Sequence, residues 1–152
     1  MGLPPFQRFL DAHRDDVYRF LVASVGPHDA DDCFQETFLS ALRAYPRLRD
    51  DSNLKGWVLT IANRKAIDVH RARTRFAGTE VPDRPAMPDR IDGEPALWGE
   101  VRALPAKQRA AVVHRYVSDL PYAEIGAVMG CTPDAARRSV HEGLKKLREV
   151  WQ

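Results

Sequence analysis

The stretch from Asp119 to Arg148 constrains the fold most, because helix starts and stops crowd together there. Tyr122-Ala-Glu-Ile-Gly-Ala-Val-Met129 has the apolar spacing of a short amphipathic helix. Gly130 can take the left-handed backbone that ends it, and Gly130-Cys131 forms the turn. Thr132 is a good N-cap, Pro133 suits the first helical position, and Asp134 complements the dipole at that end. A second helix is predicted from there to about Arg148, with Ala136, Val140, Leu144 and Leu147 facing a core. Arg137, Arg138, His141 and Lys145 fall on another face, free to meet a negatively charged groove. Such a pair of helices is how a small helical domain reads the DNA major groove. A plain helical hairpin with a solvated cationic face fits the same residues.

Upstream, residues 77–96 contain Pro82, Pro85, Pro88 and Pro95, plus Gly78 and Gly93. That density of prolines argues against helix and strand alike. The stretch reads as an extended linker, and it is acidic, with five Asp/Glu against two Arg. Basic blocks flank it. Residues 54–76 carry six Lys/Arg and one Asp, and residues 97–152 carry nine Lys/Arg and six Asp/Glu. A chain touching a polyanion at two places has this pattern. The expected domains are 1–76 and 95–152, joined by a linker over 77–94.

The N-terminal half reads as three helices. The first runs from about Pro5 to Val25, with Phe6, Phe9, Leu10, Val17, Phe20 and Leu21 apolar, and Gly26-Pro27 breaks it. The second runs from about Asp29 to Ala44, its expected buried stripe being Phe34, Phe38, Ala41, Leu42 and Tyr45. The third runs from about Leu54 to Arg75, with Leu54, Trp57, Val58, Ile61 and Ala62 forming its apolar face. The C-terminal half adds helices over about 95–104 and 105–117 before the helix-turn-helix. No strand-like alternation occurs, so the expected class is all-α.

At 152 residues and 29% charged, the chain is an ordinary globular sequence. No apolar run approaches the roughly 20 residues needed to span a bilayer, and no secretory signal is visible at Met1 to Pro5. Cys33 and Cys131 stand far apart and fit a reducing cytoplasm better than a disulfide framework. No zinc-ligand spacing, glycine-rich phosphate loop or nucleophile elbow occurs. The expectation is a chain with no catalytic residue, no metal and no cofactor.

Two further constellations matter. Asp32, Gln35, Glu36 and Leu39 share a face of the second helix. This face is a solvated surface, a docking site for a protein, or half of a magnesium site built on Asp32 and Glu36. A magnesium site wants a second acidic pair, and the third helix offers only Asp68 among arginines. That third helix is apolar and aromatic at its start. Toward its end it carries Arg64, Lys65, Arg71, Arg73 and Arg75, with Asn63, Asp68 and His70 between them. It is either a solvated basic helix or a surface for phosphates and base edges. The polar loop Arg47 to Asn53 beside it offers a place for an unstacked base.

These residues together resemble the sigma-70 family of bacterial RNA polymerase initiation factors, of the small extracytoplasmic-function type. The resemblance rests on Asp29 to Leu39, Lys55 to Asp68, Leu104-Pro-Ala-Lys-Gln-Arg109 and Tyr122 to Leu147, in that order and with the proline-rich separator. It implies a region 2-like domain and a region 4-like domain. It implies that Asp32, Gln35, Glu36 and Leu39 dock on the polymerase. Arg49 and Asn53 would flank a captured base, and Asn63, Arg64, Asp68 and Arg71 would lie along the −10 element. Thr132, Arg137, Arg138, His141 and Lys145 would meet the −35 element. Implied partners are core RNA polymerase, promoter DNA and, as a candidate, an anti-sigma factor. The recognition helix departs from the family's usual Thr-Val-Lys-Ser-Arg-Leu, reading Ala135-Ala-Arg-Arg-Ser-Val140. The −35 preference is therefore open.

The expected function is a dissociable initiation factor that binds core polymerase, recognises both promoter elements and assists melting. The alternatives are a helix-turn-helix regulator that acts without polymerase and, more distantly, an all-α magnesium-dependent nucleotide hydrolase. The linker permits the two halves either to share an interface or to move independently.

Overall fold

The computed structural model describes residues 2–49, 53–79 and 96–150, with backbone alone for 76–79. Every regular element among them is helical. In the N-terminal half α1 spans Phe6–Val25, α2 Pro27–Ala44 and α3 Leu54–Thr79, with a 3-10 turn at Tyr45–Arg47. In the C-terminal half α4 spans Ala96–Arg102, α5 Ala106–Tyr116, α6 Tyr122–Met129 and α7 Pro133–Val150.

Local chemistry sets the boundaries. Gly26, at φ 92°, ends α1, and its N–H donates to Val22 O at 3.0 Å. A positive φ is cheap only for glycine. Pro27 then opens α2 at a position whose N–H would be unpaired anyway. The helix therefore begins two residues before Asp29, the expected start. At the start of α3, Asn53 acts as N-cap: its Oδ1 accepts from Gly56 N at 3.1 Å. Gly130 is left-handed, at φ 76° and ψ 35°, and Thr132 Oγ1 accepts from Ala135 N at 3.0 Å. Both roles match the sequence reading.

The turn between α6 and α7 is tight. A Cβ built on Gly126 would stand 2.5 Å from the Cys131 carbonyl oxygen. Glycine there lets the backbones of α6 and the turn meet, with Gly126 O accepting from both Gly130 N and Cys131 N.

Packing within each half follows the apolar stripes. α1, α2 and α3 pack on one another, as do α5, α6 and α7, with α4 against α1, α5 and α7. Phe9, Val17, Phe20 and Leu21 are buried as expected, and the aromatic rings of Phe6, Phe9, Phe38, Tyr45 and Trp57 cluster at one end. Each fully buried side chain of this size contributes about 1.5–3 kcal/mol.

The expected stripes need three revisions. Leu42 is half-exposed, because Ala30, Cys33, Thr37, Phe38 and Ala41 form the buried side of α2. Leu59 is fully buried, because α3 packs on α6 as well as on α1 and α2. On α7, Gly143 is buried and Leu144 and Leu147 only half so; a Cβ at Gly143 would meet Val112 at 2.8 Å. In addition, α3 runs on through Thr79, beyond Arg75 and into the stretch expected to be linker. The prolines begin only at Pro82, so nothing in 76–79 forbids helix. Residues 80–95 lie outside the described residues, and with them nearly all of the expected linker.

The two halves share one interior. A single hydrophobic cluster joins Phe9, Phe20, Leu59 and Ala66 to Val101, Val113, Ile125 and Val128. Contacts run from α3 to α6 and from α1 to α4 and α5.

Candidate nucleic-acid interface

Three surfaces carry the residues singled out in the sequence. On α2, Asp32, Gln35, Glu36 and Leu39 are all exposed. Leu39 and Leu42 are each 50% exposed, an unusual outlay of apolar surface on a polar face. Leu42 follows Leu39 by three residues and so extends the same stripe. Sequence reading assigned it to the core; its spacing from Leu39 was the signal for the other placement.

On α3, Arg64, Asp68 and Arg71 are exposed and lie on one side at helical spacing. Asn63 turns away from them. It is 6% exposed, and its Oδ1 faces His114 Nε2 at 3.1 Å, so the ring N–H donates to the amide oxygen. Asn53 is exposed and is spent partly on capping its helix; its Nδ2 also donates to Glu124 Oε1 at 3.4 Å, across to α6. Arg49 is exposed, and residues 50–52 of the expected base-capturing loop lie outside the described residues.

On α7, Thr132, Arg137, Arg138, His141 and Lys145 are all exposed. Arg137 is held in place twice. Asp134 accepts from it at 3.0 Å, and its guanidinium carbon lies 5.0 Å from the centre of the Tyr122 ring. Arg115 lies over the same ring at 4.5 Å. The Arg137 contact ties α7 to Tyr122 of α6. Thr132 serves as the cap of α7 whatever else it touches.

Basic groups also gather where the halves meet. Arg73 donates to Asp29 and to Val25 O. Arg109 is buried and donates to the carbonyls of Arg102 at 3.2 Å and Leu104 at 3.0 Å. Burial, with Arg73 nearby, pulls its guanidinium down to about 10. His70 donates to Ser24 O at 2.9 Å, and burial, aided by Arg109, lowers its imidazole to about 4. Arg73 and His70 thus hold the N-terminal half together rather than facing DNA, which the sequence alone did not distinguish. His114 went unremarked in the sequence; the only hint was a histidine ending the apolar run Ala110 to Val113.

Cys33 is buried beside acidic groups. Desolvation, with Asp29, Glu36 and Asp32, pushes its thiol up to about 11. That is the reverse of a redox-sensing thiolate. Among the described residues, no group of three or more His, Cys, Asp or Glu side chains is arranged to hold a metal. Asp32 and Glu36 have no acidic pair facing them from α3. Nor is any helix there long and apolar enough to cross a membrane.

A helix-turn-helix with a basic outer face, behind a three-helix unit with an apolar-edged acidic face, defines a bipartite DNA-binding transcription factor. The chain matches the model of sigma-70 region 2 over residues 9–76 and that of sigma-70 region 4 over residues 96–147. It is 32% identical over 160 residues to the ECF RNA polymerase sigma factor SigE of Mycolicibacterium smegmatis, covering 97% of this chain and 62% of that one. It is 34% identical over 153 residues to the RNA polymerase sigma factor CarQ of Myxococcus xanthus, covering 95% and 88%. The fold is shared with the sigma factor RpoE of Bartonella quintana, solved in complex with the anti-sigma factor NepR, at a TM-score of 0.78 and 23% identity over 96% of each chain. It is also shared with CnrH, solved with the cytosolic domain of CnrY, at 0.73 and 19% identity over 96% of this chain and 86% of that one. The chain belongs to the sigma-70 family and is a sigma factor of the extracytoplasmic-function type, the class of dissociable factors that bring RNA polymerase to promoters.

Proposed function

We propose that this chain acts in the cytoplasm as a dissociable, non-catalytic initiation subunit. It docks on core RNA polymerase through Asp32, Gln35, Glu36 and Leu39, with Leu42 extending the apolar part of that surface. Arg64, Asp68 and Arg71, together with Asn53 and Arg49, read and hold the −10 element, whereas Asn63 is buried against His114. Thr132, Arg137, Arg138, His141 and Lys145 engage the −35 element. The domain division is near 1–79 and 96–152. Strand opening needs no bond chemistry from such a subunit. Binding of an exposed base has only to offset a few kcal/mol of lost stacking. The complex of RpoE with the anti-sigma factor NepR supports an anti-sigma factor as a further partner class.

The observation that carries this reading is the paired family match, region 2 then region 4, with the polar and half-exposed leucine face of α2 open on the surface. The test is to add the purified chain to sigma-free core polymerase and assay promoter-specific transcripts on genomic fragments. Transcripts that depend on the chain are expected. Failure to bind core polymerase would overturn the reading, and sequence-specific duplex binding without polymerase would favour the conventional regulator.

A further inference from the structure

A cavity of about 160 Å³ lies against the start of α5. Ile67, Ala110 and Met129 give it apolar walls, and Arg109, Lys107 and His70 line its polar side. Among the described residues, no Asp or Glu lines it. Drug-sized ligands occupy roughly 300 Å³ or more. This smaller space suits a single ring or a short branched chain.

Arg109 dominates the polar side. It is 8% exposed, yet both of its hydrogen bonds, to the Arg102 and Leu104 carbonyls, leave from Nη1. Its Nε and Nη2 find no acceptor among the described residues. No carboxylate offsets its charge either. Burial and Arg73 both lower its pKa, and the one acid nearby, Asp29, is taken by Arg73. A buried cation without a counter-ion is costly. The free Nε and Nη2 edge of a guanidinium matches the two oxygens of a carboxylate.

The surroundings favour one negative charge. His70 adds no cation, because burial keeps its ring neutral at pH 7 while Nε2 donates to Ser24 O. Lys107 is exposed at the rim. The first turn of α5 opens on the same space, and Pro105 gives it no side-chain cap. The dipole at that end attracts an anion.

We propose that this cavity binds a small carboxylate with an apolar body, an aromatic or branched-chain acid. Its carboxylate pairs with Nε and Nη2 of Arg109, and its body packs on Ile67, Ala110 and Met129. Inorganic phosphate has nothing to cover those apolar walls. The site goes beyond the proposed function, since it needs neither polymerase nor DNA.

Benzoate is a suitable probe. Titrated at millimolar concentration into the full chain, it should shift the labelled methyl NMR signals of Ile67 and Met129 saturably. Benzamide has the same body without the charge and should bind about tenfold more weakly. Inorganic phosphate should also bind about tenfold more weakly. Arg109→Lys keeps a cation but loses the planar fork, and should weaken benzoate by about tenfold. Ala110→Leu fills the cavity, leaves Arg109 in place and should abolish the shifts. Circular dichroism reports whether each variant folds. Equal binding of benzamide or phosphate, unchanged benzoate binding by the folded Ala110→Leu chain, or no saturable shift at Ile67 and Met129 would overturn the site.

Discussion

His114 lies flat against Phe20, their rings 4.4 Å apart and within 9° of parallel, although the two residues belong to different halves of the chain. Its Nε2 bonds Asn63, while no protein atom among the described residues bonds its Nδ1. A ring so placed is favourable only while neutral.

Acid should therefore loosen the junction. Burial holds His114 at about 3, and burial with Arg109 holds His70 at about 4, both below the ordinary 6.5. For a depressed histidine the favourable contribution is complete above 6.5 and is lost as pH falls toward the native value. Between pH 7.5 and 5 the contribution of His114 should fall by about 2 kcal/mol. Urea unfolding and scattering at the two pH values measure this. His114→Ala should remove a large part of the pH dependence; an unchanged slope would contradict the assignment.

Leu39 and Leu42 are exposed, so shortening them should cost little stability. Leu39→Ala and Leu42→Ala should each change unfolding free energy by no more than about 0.5 kcal/mol. The double variant should weaken core polymerase binding by tenfold or more, as loss of a central apolar anchor does. A pull-down titration with core polymerase reads the effect; full binding by the double variant would separate this face from polymerase docking.

The start of the recognition helix depends on one hydroxyl. Thr132→Ala removes the acceptor for Ala135 N and should cost about 1 kcal/mol, whereas Thr132→Ser should keep most of the stability. Thermal melts of the three proteins test this. Equal midpoints for Ala and Ser would show the cap contributes nothing.

Arg138 projects from α7 without a role in its core. If it meets a phosphate, Arg138→Ala should weaken duplex binding across all sequences and reduce the salt slope by about one. Fluorescence anisotropy at several salt concentrations, with polymerase bound, measures the slope. A change confined to one base position would mean that Arg138 reads sequence instead.

Cys33 should resist thiol reagents in the native chain. Its thiol is raised to about 11 by burial and by neighbouring Asp29, Glu36 and Asp32. With Cys131→Ser as background, maleimide labelling at pH 7.5 should proceed only on unfolding. Rapid labelling of the folded chain would show the site to be open.

Helix limits were legible in the sequence because caps act locally. Gly26-Pro27, Gly130 and Thr132-Pro133 each satisfy or release backbone groups within one turn, so a few residues suffice to place them. The exposed face of α7 was legible for a similar reason: its charges repeat at helical spacing beside an apolar stripe. On α2 the same logic misplaced Leu42, since two leucines near a stripe edge are chemically alike and only the neighbouring helices decide which is covered. Leu59 was missed because α3 is packed on two sides, which no single stripe displays.

The sequence by itself determined the all-α class, the order of the helices and the polar and basic faces that α2 and α7 present. These follow from propensity, capping and spacing, all short-range. Only the tertiary structure decided that the halves share a core, that Asn63 is covered and that Arg73 and His70 bind their own half. Those outcomes depend on pairs such as Phe20 with His114 and Asn63 with His114, which are remote in sequence. Their free energy comes from burying rings and pairing polar groups across a junction. A one-dimensional pattern does not encode which distant surface will be met.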